Sequence, residues 1–263
     1  MDTGLMGTRV LITGASGGIG LATAAAFAGE GASLALHYRK QHQPVAALAD
    51  QLEIEHVLIE ADLRREADAD RMVDEAVGAL GGLEAVVVNA GVWEKRAVAV
   101  RDMSLSQWQE TMAADLTSAF LTCRAFLRQA PTAPGGPASI VLVASTAALF
   151  GEADHADYAA AKSAMAYGLN LSLKNEIVRV TPRGRVNCVC PGWTDTPMAS
   201  GMVGDEALVR RATATMPLRK VARSEDVAAA IVFLTSERLA GHVSGAVLPV
   251  AGGMEGRLLH ADV

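Results

Sequence analysis

Tyr158 and Lys162 stand four residues apart in a segment, 155–178, with a helical pattern of apolar residues. Positions i and i+4 of a helix share one face, so a phenol and an ammonium can point into the same cleft. A free tyrosine has a pKa of about 10, and a fixed cation beside it favours the phenolate and lowers that value. The pair therefore predicts that Tyr158 transfers a proton near neutral pH.

Two further polar segments follow strand-like runs. Ser145 ends the run 139–145 and lies 13 residues before Tyr158. Its hydroxyl is suited to hold a substrate oxygen. The sequence P-G-W-T-D-T, residues 191–196, follows the run 185–190. Because the carboxyl ends of parallel strands meet at one edge of a sheet, we expect these segments to lie beside the Tyr158–Lys162 pair.

A glycine-rich turn follows the first strand-like run and opens a helix. Residues 13–20 read T-G-A-S-G-G-I-G. Glycine suits a tight turn and lets the backbone approach a pyrophosphate, and the helix N-terminus offers free N–H groups and a positive dipole end. The turn predicts dinucleotide binding. The alternative is a tight strand–helix turn that binds no ligand.

The elements that must position these residues alternate regularly. Nearly continuous apolar runs predict strands at 9–13, 33–38, 56–61, 85–89, 139–145, 185–190 and 246–250. Helical patterns occupy 19–30, the region of residues 70–80, 106–129, 155–178 and 224–235. This order predicts a doubly wound parallel sheet with right-handed crossovers in one domain, 1–263. The breaker-rich stretch 131–137 is interpreted as a surface loop, and the irregular stretch 192–219 as a lid or substrate loop.

Composition limits the possible partners. The chain has 263 residues, 51% of them hydrophobic, and a net charge of −6 with scattered basic residues. We therefore expect neither a nucleic-acid partner nor a membrane partner. The N-terminus has no basic stretch followed by an apolar one, so we expect a cytoplasmic protein. Cys188 and Cys190 lie in a strand-like run and are interpreted as small buried side chains, and no set of Cys and His residues has the spacing of a metal site.

The motifs together resemble those of the single-domain short-chain dehydrogenases/reductases. The glycine spacing Gly14-x-x-x-Gly18-x-Gly20, the Ser145–Tyr158 interval, Y-x-x-x-K and P-G-x-x-x-T occur in that family's order, and the resemblance covers residues 8–254. It implies a Rossmann-like sheet of about seven parallel strands with helices on both faces. It also implies a nicotinamide-dependent enzyme that interconverts a carbonyl and a secondary alcohol, assembled as a homo-tetramer or homo-dimer.

The resemblance assigns a role to each catalytic position. Tyr158 would be the general acid/base, Lys162 would bind the nicotinamide ribose and tune Tyr158, and Ser145 would polarise the substrate oxygen. The family's fourth catalytic position is usually Asn, and Asp115 stands there. Asp keeps the backbone carbonyl that holds a water in the proton relay, but its carboxylate adds negative charge near Lys162. We expect activity with a shifted pH profile.

The end of the second predicted strand indicates which cofactor is preferred. By resemblance, Tyr38 stands where members that prefer NAD carry Asp, and Arg39 and Lys40 follow. A carboxylate would bind a ribose diol, whereas cations accommodate a 2′-phosphate. We predict NADP(H), with NAD(H) possible. The alternatives are that Arg39 is a solvated loop charge and that Gly17, where many NADP-using relatives carry a basic residue, weakens the preference.

Further contacts with the cofactor follow from the resemblance. Asp62 matches the position that contacts the adenine ring, and Asn89-Ala90-Gly91 matches most of the family's N-N-A-G motif, in which the Asn can also tie strand ends together. The full predicted set of cofactor-binding residues is Gly14, Ser16, Gly18, Ile19, Gly20, Tyr38, Arg39, Lys40, Asp62, Leu63, Asn89, Ala90, Gly91, Tyr158, Lys162, Pro191, Gly192, Thr194 and Thr196.

The substrate is left open. Candidate pocket residues are Trp93, Ala147, Glu152, Trp193, Met198 and Met202, whose apolar and aromatic bias suits a moderately hydrophobic small molecule. An alternative function is a catalytically weak NAD(P)-binding sensor or scaffold subunit, which only Asp115 favours. Another is an epimerase or dehydratase that keeps its cofactor bound, which the glycine spacing and the short C-terminal region disfavour.

Overall fold

The protein is described here by a computed structural model that covers residues 2–94, 96–129, 136–199 and 206–256. Over these residues the chain forms one sheet of seven strands in the order β3-β2-β1-β4-β5-β6-β7, and every neighbouring pair is parallel. The strands are β1 (Arg9–Ile12), β2 (Ser33–Tyr38), β3 (His56–Glu60), β4 (Ala85–Val88), β5 (Pro137–Val143), β6 (Arg183–Pro191) and β7 (Val247–Val250). The predicted fold class is confirmed.

Helices cover both faces of this sheet. They are α1 (Gly18–Gly29), α2 (His42–Ala49), α3 (Glu66–Leu80), α4 (Leu105–Thr111), α5 (Ser118–Gln129), α6 (Ala147–Phe150), α7 (Ala156–Ser163), α8 (Asn170–Val180), α9 (Glu206–Ala212), α10 (Ser224–Thr235) and α11 (Glu237–Ala240). Side chains of α1 and α10 pack on one face, with Val10 and Ile12 of β1. Those of α3, α5 and α8 pack on the other, with Leu11. Burial on both faces explains why the strands are apolar throughout.

Strand order reverses between β1 and β4. The chain passes from β1 to β2 and β3 on one side, then returns to place β4 on the other side of β1. The helices after β1 and β4 therefore diverge, and a crevice opens at the carboxyl ends of these strands. This is the edge at which the glycine turn and the predicted catalytic residues meet.

Two predicted helices contain a π-helical turn. The segment predicted at 106–129 is α4, a π-helical turn at Met112–Thr117, and α5. The segment predicted at 155–178 is α7, a π-helical turn at Ala164–Leu169, and α8. Such turns are rare in proteins, and those that occur are often found at functional sites. The first contains Asp115 and the second directly follows the turn that carries Lys162.

The remaining differences from the sequence predictions are local. The helix α2 was not predicted, and the stretch 192–219 is not wholly irregular, because it contains a 3₁₀ turn at Pro197–Ala199 and helix α9. Most of the predicted surface loop, and residues 200–205, lie outside the described residues. Cys188 and Cys190 are fully buried with their Sγ atoms 4.0 Å apart, as predicted. None of the described helices has the length and apolar character needed to cross a membrane.

Candidate active site

The glycine turn is shaped by close backbone contacts. Gly14 has a φ of 64°, a conformation that glycine adopts without strain. A Cβ at Gly20 would collide with the Gly14 carbonyl oxygen, and a Cβ at Gly18 would lie 2.8 Å from the Thr196 methyl carbon. The turn is therefore closed against its own helix, and the P-G-x-x-x-T segment lies directly over it.

Asn89 and Thr13 tie this turn to the end of β4. The Asn89 side-chain amide donates to the carbonyl oxygens of Thr13 (3.0 Å) and Gly14 (3.1 Å). The Thr13 hydroxyl accepts the backbone N–H groups of Asn89 (2.9 Å) and Ala90 (3.0 Å). Asn89 thus holds the strand ends together, and it also faces the crevice.

A cleft of 530 Å³ runs along the carboxyl ends of β1, β2 and β4. The predicted cofactor-binding residues that line it are Gly14, Ser16, Gly18, Ile19, Arg39, Lys40, Asp62, Leu63, Asn89, Ala90, Gly91 and Thr196. Tyr158, Pro191, Gly192 and Thr194 line an adjoining pocket of 110 Å³. Three predicted cofactor-binding residues line neither cavity: Gly20, Tyr38 and Lys162. Gly20 lies behind the glycine turn, and Lys162 is buried beneath Tyr158.

His37, rather than Tyr38, faces the cleft at the end of β2. The Tyr38 ring contacts His42 with centroids 5.0 Å apart and packs with the α1 side of the core. Side chains alternate along a strand, so His37 points to the opposite face. Its Nδ1 accepts the Gly14 N–H at 3.0 Å and its Nε2–H donates to the Ala61 carbonyl at 3.1 Å. A polar residue inside an otherwise apolar strand was the signal that could have identified it.

An ion pair keeps the carboxylate that follows β3 ionised. Asp62 accepts a hydrogen bond of 2.8 Å from Nε of Arg64. This bond, together with the Arg64 backbone N–H and the charges of Arg64 and Arg39, lowers the pKa of Asp62 to about 2. Asp62 is therefore ionised at the mouth of the cleft and already paired.

Ser145, Tyr158 and Lys162 come together as predicted. Ser145 and Tyr158 both line the 110 Å³ pocket, and the Ser145 hydroxyl acts to lower the pKa of Tyr158. The Lys162 Nζ lies 5.6 Å from the centroid of the Tyr158 ring, one helical turn away on α7. It donates to the Val143 carbonyl oxygen at the end of β5, at 3.3 Å.

The expectation that Lys162 lowers the pKa of Tyr158 below its usual value is wrong for the free protein. Burial raises that pKa, and the nearby charge of Asp115 raises it further. Lys162 and the Ser145 hydroxyl act in the predicted direction but do not outweigh burial. Tyr158 therefore keeps its proton at neutral pH, which suits it to donate one.

Asp115 lies beside the ammonium of Lys162. Its Oδ1 accepts the Val92 N–H at 2.6 Å, whereas its Oδ2 is buried with no hydrogen-bond partner among the described residues. A Cβ at Gly91 would stand 2.9 Å from Asp115 Oδ1 and 3.0 Å from Lys162 Nζ. Only a glycine at position 91 lets the two charged groups face each other across the strand end.

The two charges shift each other's pKa. Burial raises the pKa of Asp115, and Lys162 only partly opposes this. Burial lowers the pKa of Lys162, but the charges of Asp115 and Tyr158 raise it, and the net shift is upward. Lys162 thus stays a cation although it is almost completely buried.

The 110 Å³ pocket also contains most of the predicted substrate-contacting residues. Trp93, Glu152, Trp193 and Met198 line it. Ala147 is fully buried and is not part of this lining. Met202 lies outside the described residues.

Comparison with known proteins places the chain in a family. The family model described as enoyl-(acyl carrier protein) reductase matches residues 14–255. The glucose 1-dehydrogenase of Gluconobacter oxydans is 32% identical over 94% of this chain and 92% of its own length. The 3-oxoacyl-[acyl-carrier-protein] reductase of Mycobacterium avium is 31% identical over 93% of this chain and 89% of its own.

Solved structures agree. A short-chain dehydrogenase from Burkholderia cenocepacia, solved in complex with NADP, is 30% identical, covers 96% of this chain and 99% of its own, and superposes with a TM-score of 0.85. The chain belongs to the short-chain dehydrogenase/reductase family. It is an oxidoreductase that acts on CH–OH or C=O groups with a nicotinamide cofactor.

The buried state of His37 predicts a pH dependence of folding. Burial lowers the pKa of His37 to about 4, below the value of about 6.5 for an exposed histidine. The unfolded chain then binds the proton first, so this stabilisation is complete above about pH 6.5 and is lost as the pH falls toward 4. Urea unfolding at pH 7.5 and 4.5 should show a loss on the order of 2 to 3 kcal/mol that is absent in His37→Gln.

The matched control is His242→Gln, since His242 is exposed. We expect it to keep the pH dependence of the parent protein. If His37→Gln lost as much stability as the parent between the two pH values, the assignment to His37 would be wrong.

Proposed function

We propose that this protein interconverts a carbonyl and a secondary alcohol with NADP(H), and that Tyr158 is the general acid/base. One observation carries the proposal: the Tyr158–Ser145 pair lines a small pocket that shares wall residues with the long cleft. Ile19, Trp93, Thr196 and Met198 line both. A group held at the inner end of the cleft would therefore face the hydroxyl of Tyr158.

The cleft fits a dinucleotide. Its volume of 530 Å³, its glycine turn at the N-terminus of α1 and the cationic side chains of Arg39 and Lys40 suit a long anionic ligand. Gly14, Ser16 and Gly18 would hold the phosphates, and Asp62, Leu63 and the β4 end would hold the adenosine and nicotinamide ribose regions. When bound, the nicotinamide supplies or accepts the hydride.

The protein's own groups handle the proton and the orientation. Ser145 and Tyr158 would both bond the reacting oxygen, because their hydroxyls converge in the pocket. Tyr158 would donate its proton to the oxygen during reduction and take it back during alcohol oxidation. The buried ammonium of Lys162 would stabilise the phenolate that remains after donation. Thr194 and Thr196, beside Gly192, would orient the reacting ring.

NADP(H) is favoured over NAD(H) by charge. Two cations, Arg39 and Lys40, stand at the cleft wall after β2, and the nearby carboxylate of Asp62 is already paired with Arg64. A 2′-phosphate would gain charge-assisted hydrogen bonds there, whereas a ribose diol would find no unpaired acceptor from Asp62. The NADP complex of the Burkholderia relative supports this choice.

The alternative function is a cofactor-binding sensor or scaffold with weak catalysis. Asp115 is the one feature that favours it: its Oδ2 has no hydrogen-bond partner within the described part of the chain, and a charge placed there changes the proton relay. The convergence of Ser145, Tyr158 and Lys162 favours the enzyme.

Assembly as a homo-tetramer or homo-dimer and a cytoplasmic location stay predictions. Exposed apolar side chains on α5, on α8 and between them, including Phe120, Tyr167 and Leu171, support self-association.

Replacing Tyr158 tests the proposed function. With NADPH and a broad panel of ketones, we expect Tyr158→Phe to lower kcat about 10²- to 10⁴-fold, because the proton donor is removed while the ring is kept. NADPH binding, followed by its fluorescence, should change little. A parent protein that reduces none of the ketones, or a variant within threefold of its parent, would contradict the proposal.

Replacing Arg39 tests the cofactor preference. Arg39→Ala should lower kcat/KM for NADPH by about 10- to 100-fold, since one charge-assisted hydrogen bond to the 2′-phosphate is lost, and should leave kcat/KM for NADH unchanged. Arg101→Ala, an exposed arginine elsewhere, is the control. A parent preference for NADH would overturn the assignment.

Replacing Asp115 tests the effect of its charge. Because that charge raises the pKa of Tyr158, Asp115→Asn should move the acidic limb of the pH profile for alcohol oxidation to lower pH. Asn keeps an oxygen for the Val92 N–H, so folding should survive. An unchanged acidic limb, or a shift of that limb to higher pH, would contradict the claim that the charge of Asp115 raises the pKa of Tyr158.

A further inference from the structure

Two indole rings form a large part of the wall of the 110 Å³ pocket. Trp93 and Trp193 line it together with smaller apolar groups and with the hydroxyl groups of Ser145 and Tyr158. Both tryptophans are half-buried, so each leaves part of its ring accessible. The proton transfer proposed above uses neither ring. Because ligands are held mainly by the apolar and aromatic walls of a pocket, the two rings are placed to contact the body of a substrate.

The ring of Trp93 is held in place by its neighbours. It stacks on the His155 ring, with centroids 4.9 Å apart and planes 19° apart. The His155 ring is fixed in turn, since its Nε2–H donates to the Glu94 carbonyl oxygen at 2.9 Å. One face of Trp93 is therefore covered by protein, and the orientation of the ring is set before any ligand arrives.

The ring of Trp193 is held by a distant part of the chain. It packs against a cluster of three buried residues, Met216, Ala251 and Met254. Its backbone is fixed as well, because its carbonyl oxygen accepts the Ala222 N–H at 2.9 Å. Both indoles are thus positioned by packing and hydrogen bonds, so the angle between them is a property of the fold.

That angle is close to a right angle. The centroids of Trp93 and Trp193 are 6.3 Å apart and their planes meet at 88°. A flat ring that lies parallel to one of these planes is perpendicular to the other. An aromatic ring can therefore stack on one indole with an offset and meet the second edge to face, and these are the two arrangements that aromatic pairs prefer. A saturated, puckered ring has no π face and gains only from the burial of apolar area.

The volume of the pocket limits the size of this ring. A closed apolar cavity of about 150 Å³ holds one benzene molecule. The pocket here has 110 Å³ and also opens toward the cleft, so it has room for one six-membered ring but not for two fused rings. In so small a space, a ring between the indoles leaves the reacting carbon beside Ser145 and Tyr158 only if the two are directly bonded.

Charge limits the substrate further. Glu152 is the one charged side chain in the described lining, and its charge acts on the phenol of Tyr158. It already has an interaction partner within the protein, so it is not a vacant site for a polar group of the substrate. An anionic substrate would be repelled by this carboxylate, whereas a neutral ring would not.

We propose that Trp93 and Trp193 are specificity-determining residues that select neutral ketones and alcohols with a single aromatic ring bonded directly to the reacting carbon. The proposal deepens the proposed function and rests on it, because it names the substrate class of the same pocket. The two indoles hold the ring, and Ser145 and Tyr158 keep the roles already described.

A matched pair of ketones tests the proposal. Acetophenone and cyclohexyl methyl ketone have rings of similar size, and only the first ring is aromatic. With NADPH, the ratio of their kcat/KM values, acetophenone over cyclohexyl methyl ketone, should fall about 2- to 10-fold in Trp93→Leu and in Trp193→Leu, because the aromatic contact is lost while apolar bulk is kept. Trp193→Phe, which keeps a flat ring, should retain most of the ratio. The ketones differ in intrinsic reactivity, but that difference is the same for every variant and cancels.

The third tryptophan provides the control. Trp108 is exposed on α4 and lines neither cavity, so Trp108→Leu should keep the ratio of the parent protein. The size limit is tested with 2-acetylnaphthalene, which carries two fused rings. Its kcat/KM should be at least about tenfold below that of acetophenone, because the second ring overfills the pocket.

A binding measurement separates this inference from the proposed function. In Trp108→Phe the only tryptophans are Trp93 and Trp193, so indole fluorescence reports occupancy of the pocket without turnover. Under these conditions 1-phenylethanol should bind about 2- to 10-fold more tightly than 1-cyclohexylethanol. A pocket that is merely apolar would give the opposite order, because the saturated ring buries at least as much apolar area.

The outcomes are distinct. Ketone reduction with a ratio that is unchanged in both leucine variants, or tighter binding of 1-cyclohexylethanol, would overturn the role of the tryptophans and leave the proposed function intact. Equally good reduction of 2-acetylnaphthalene would overturn the restriction to one ring. A parent protein that reduces no ketone would refute the proposed function, and the fluorescence titration would then decide on the two tryptophans alone.

Discussion

The buried ammonium of Lys162 is the constraint on which the rest of the site depends. A charge in the protein interior persists only where other charges and dipoles replace the water it has lost. Here the Val143 carbonyl, the Asp115 carboxyl and the Tyr158 phenol surround it. Each of these partners requires a particular backbone feature: the end of β5, a π-helical turn in the helix after β4, and one helical turn of α7. Gly91 leaves the space in which they meet.

The same arrangement explains why the free protein holds a neutral phenol. Burial outweighs the cation, so the acid form of Tyr158 is the resting form. A buried carboxyl at position 115, in place of an amide, strengthens this effect. In the proposed reaction, the resting site already holds the proton that carbonyl reduction would use, whereas alcohol oxidation would first require the Tyr158 phenol to lose its proton.

Sequence alone was enough for the parts of the site that depend on spacing. The i, i+4 relation of Tyr158 and Lys162, the strand-end position of Ser145 and the glycine turn all place groups by regular geometry, and the apolar runs gave the sheet. It was not enough to decide which side chain of a strand faces the cleft, or whether burial or a neighbouring charge has the larger effect on a pKa. Tyr38 turned to the core and His37 to the cleft because a strand alternates, and the pKa of Tyr158 rose because desolvation depends on tertiary packing. Helix α2 has only eight residues, which is too short for a helical pattern to be distinguished from a loop.

The all-parallel sheet has a consequence for how the chain reaches this structure. Near its centre, β1 (Arg9–Ile12) pairs with β4 (Ala85–Val88). Strands β2 and β3 lie between these two in the chain, so the whole segment that contains them forms a loop when β1 and β4 pair. No hairpin can start such a sheet, because parallel neighbours need a long crossover. Closing this long loop costs conformational entropy before the contacts between the strands can offset it. Folding therefore depends on contacts between residues far apart in the sequence, and it is intrinsically slow. Until β4 docks against β1, the apolar strands of the N-terminal half stay open on one side and are exposed to association with other unfinished chains.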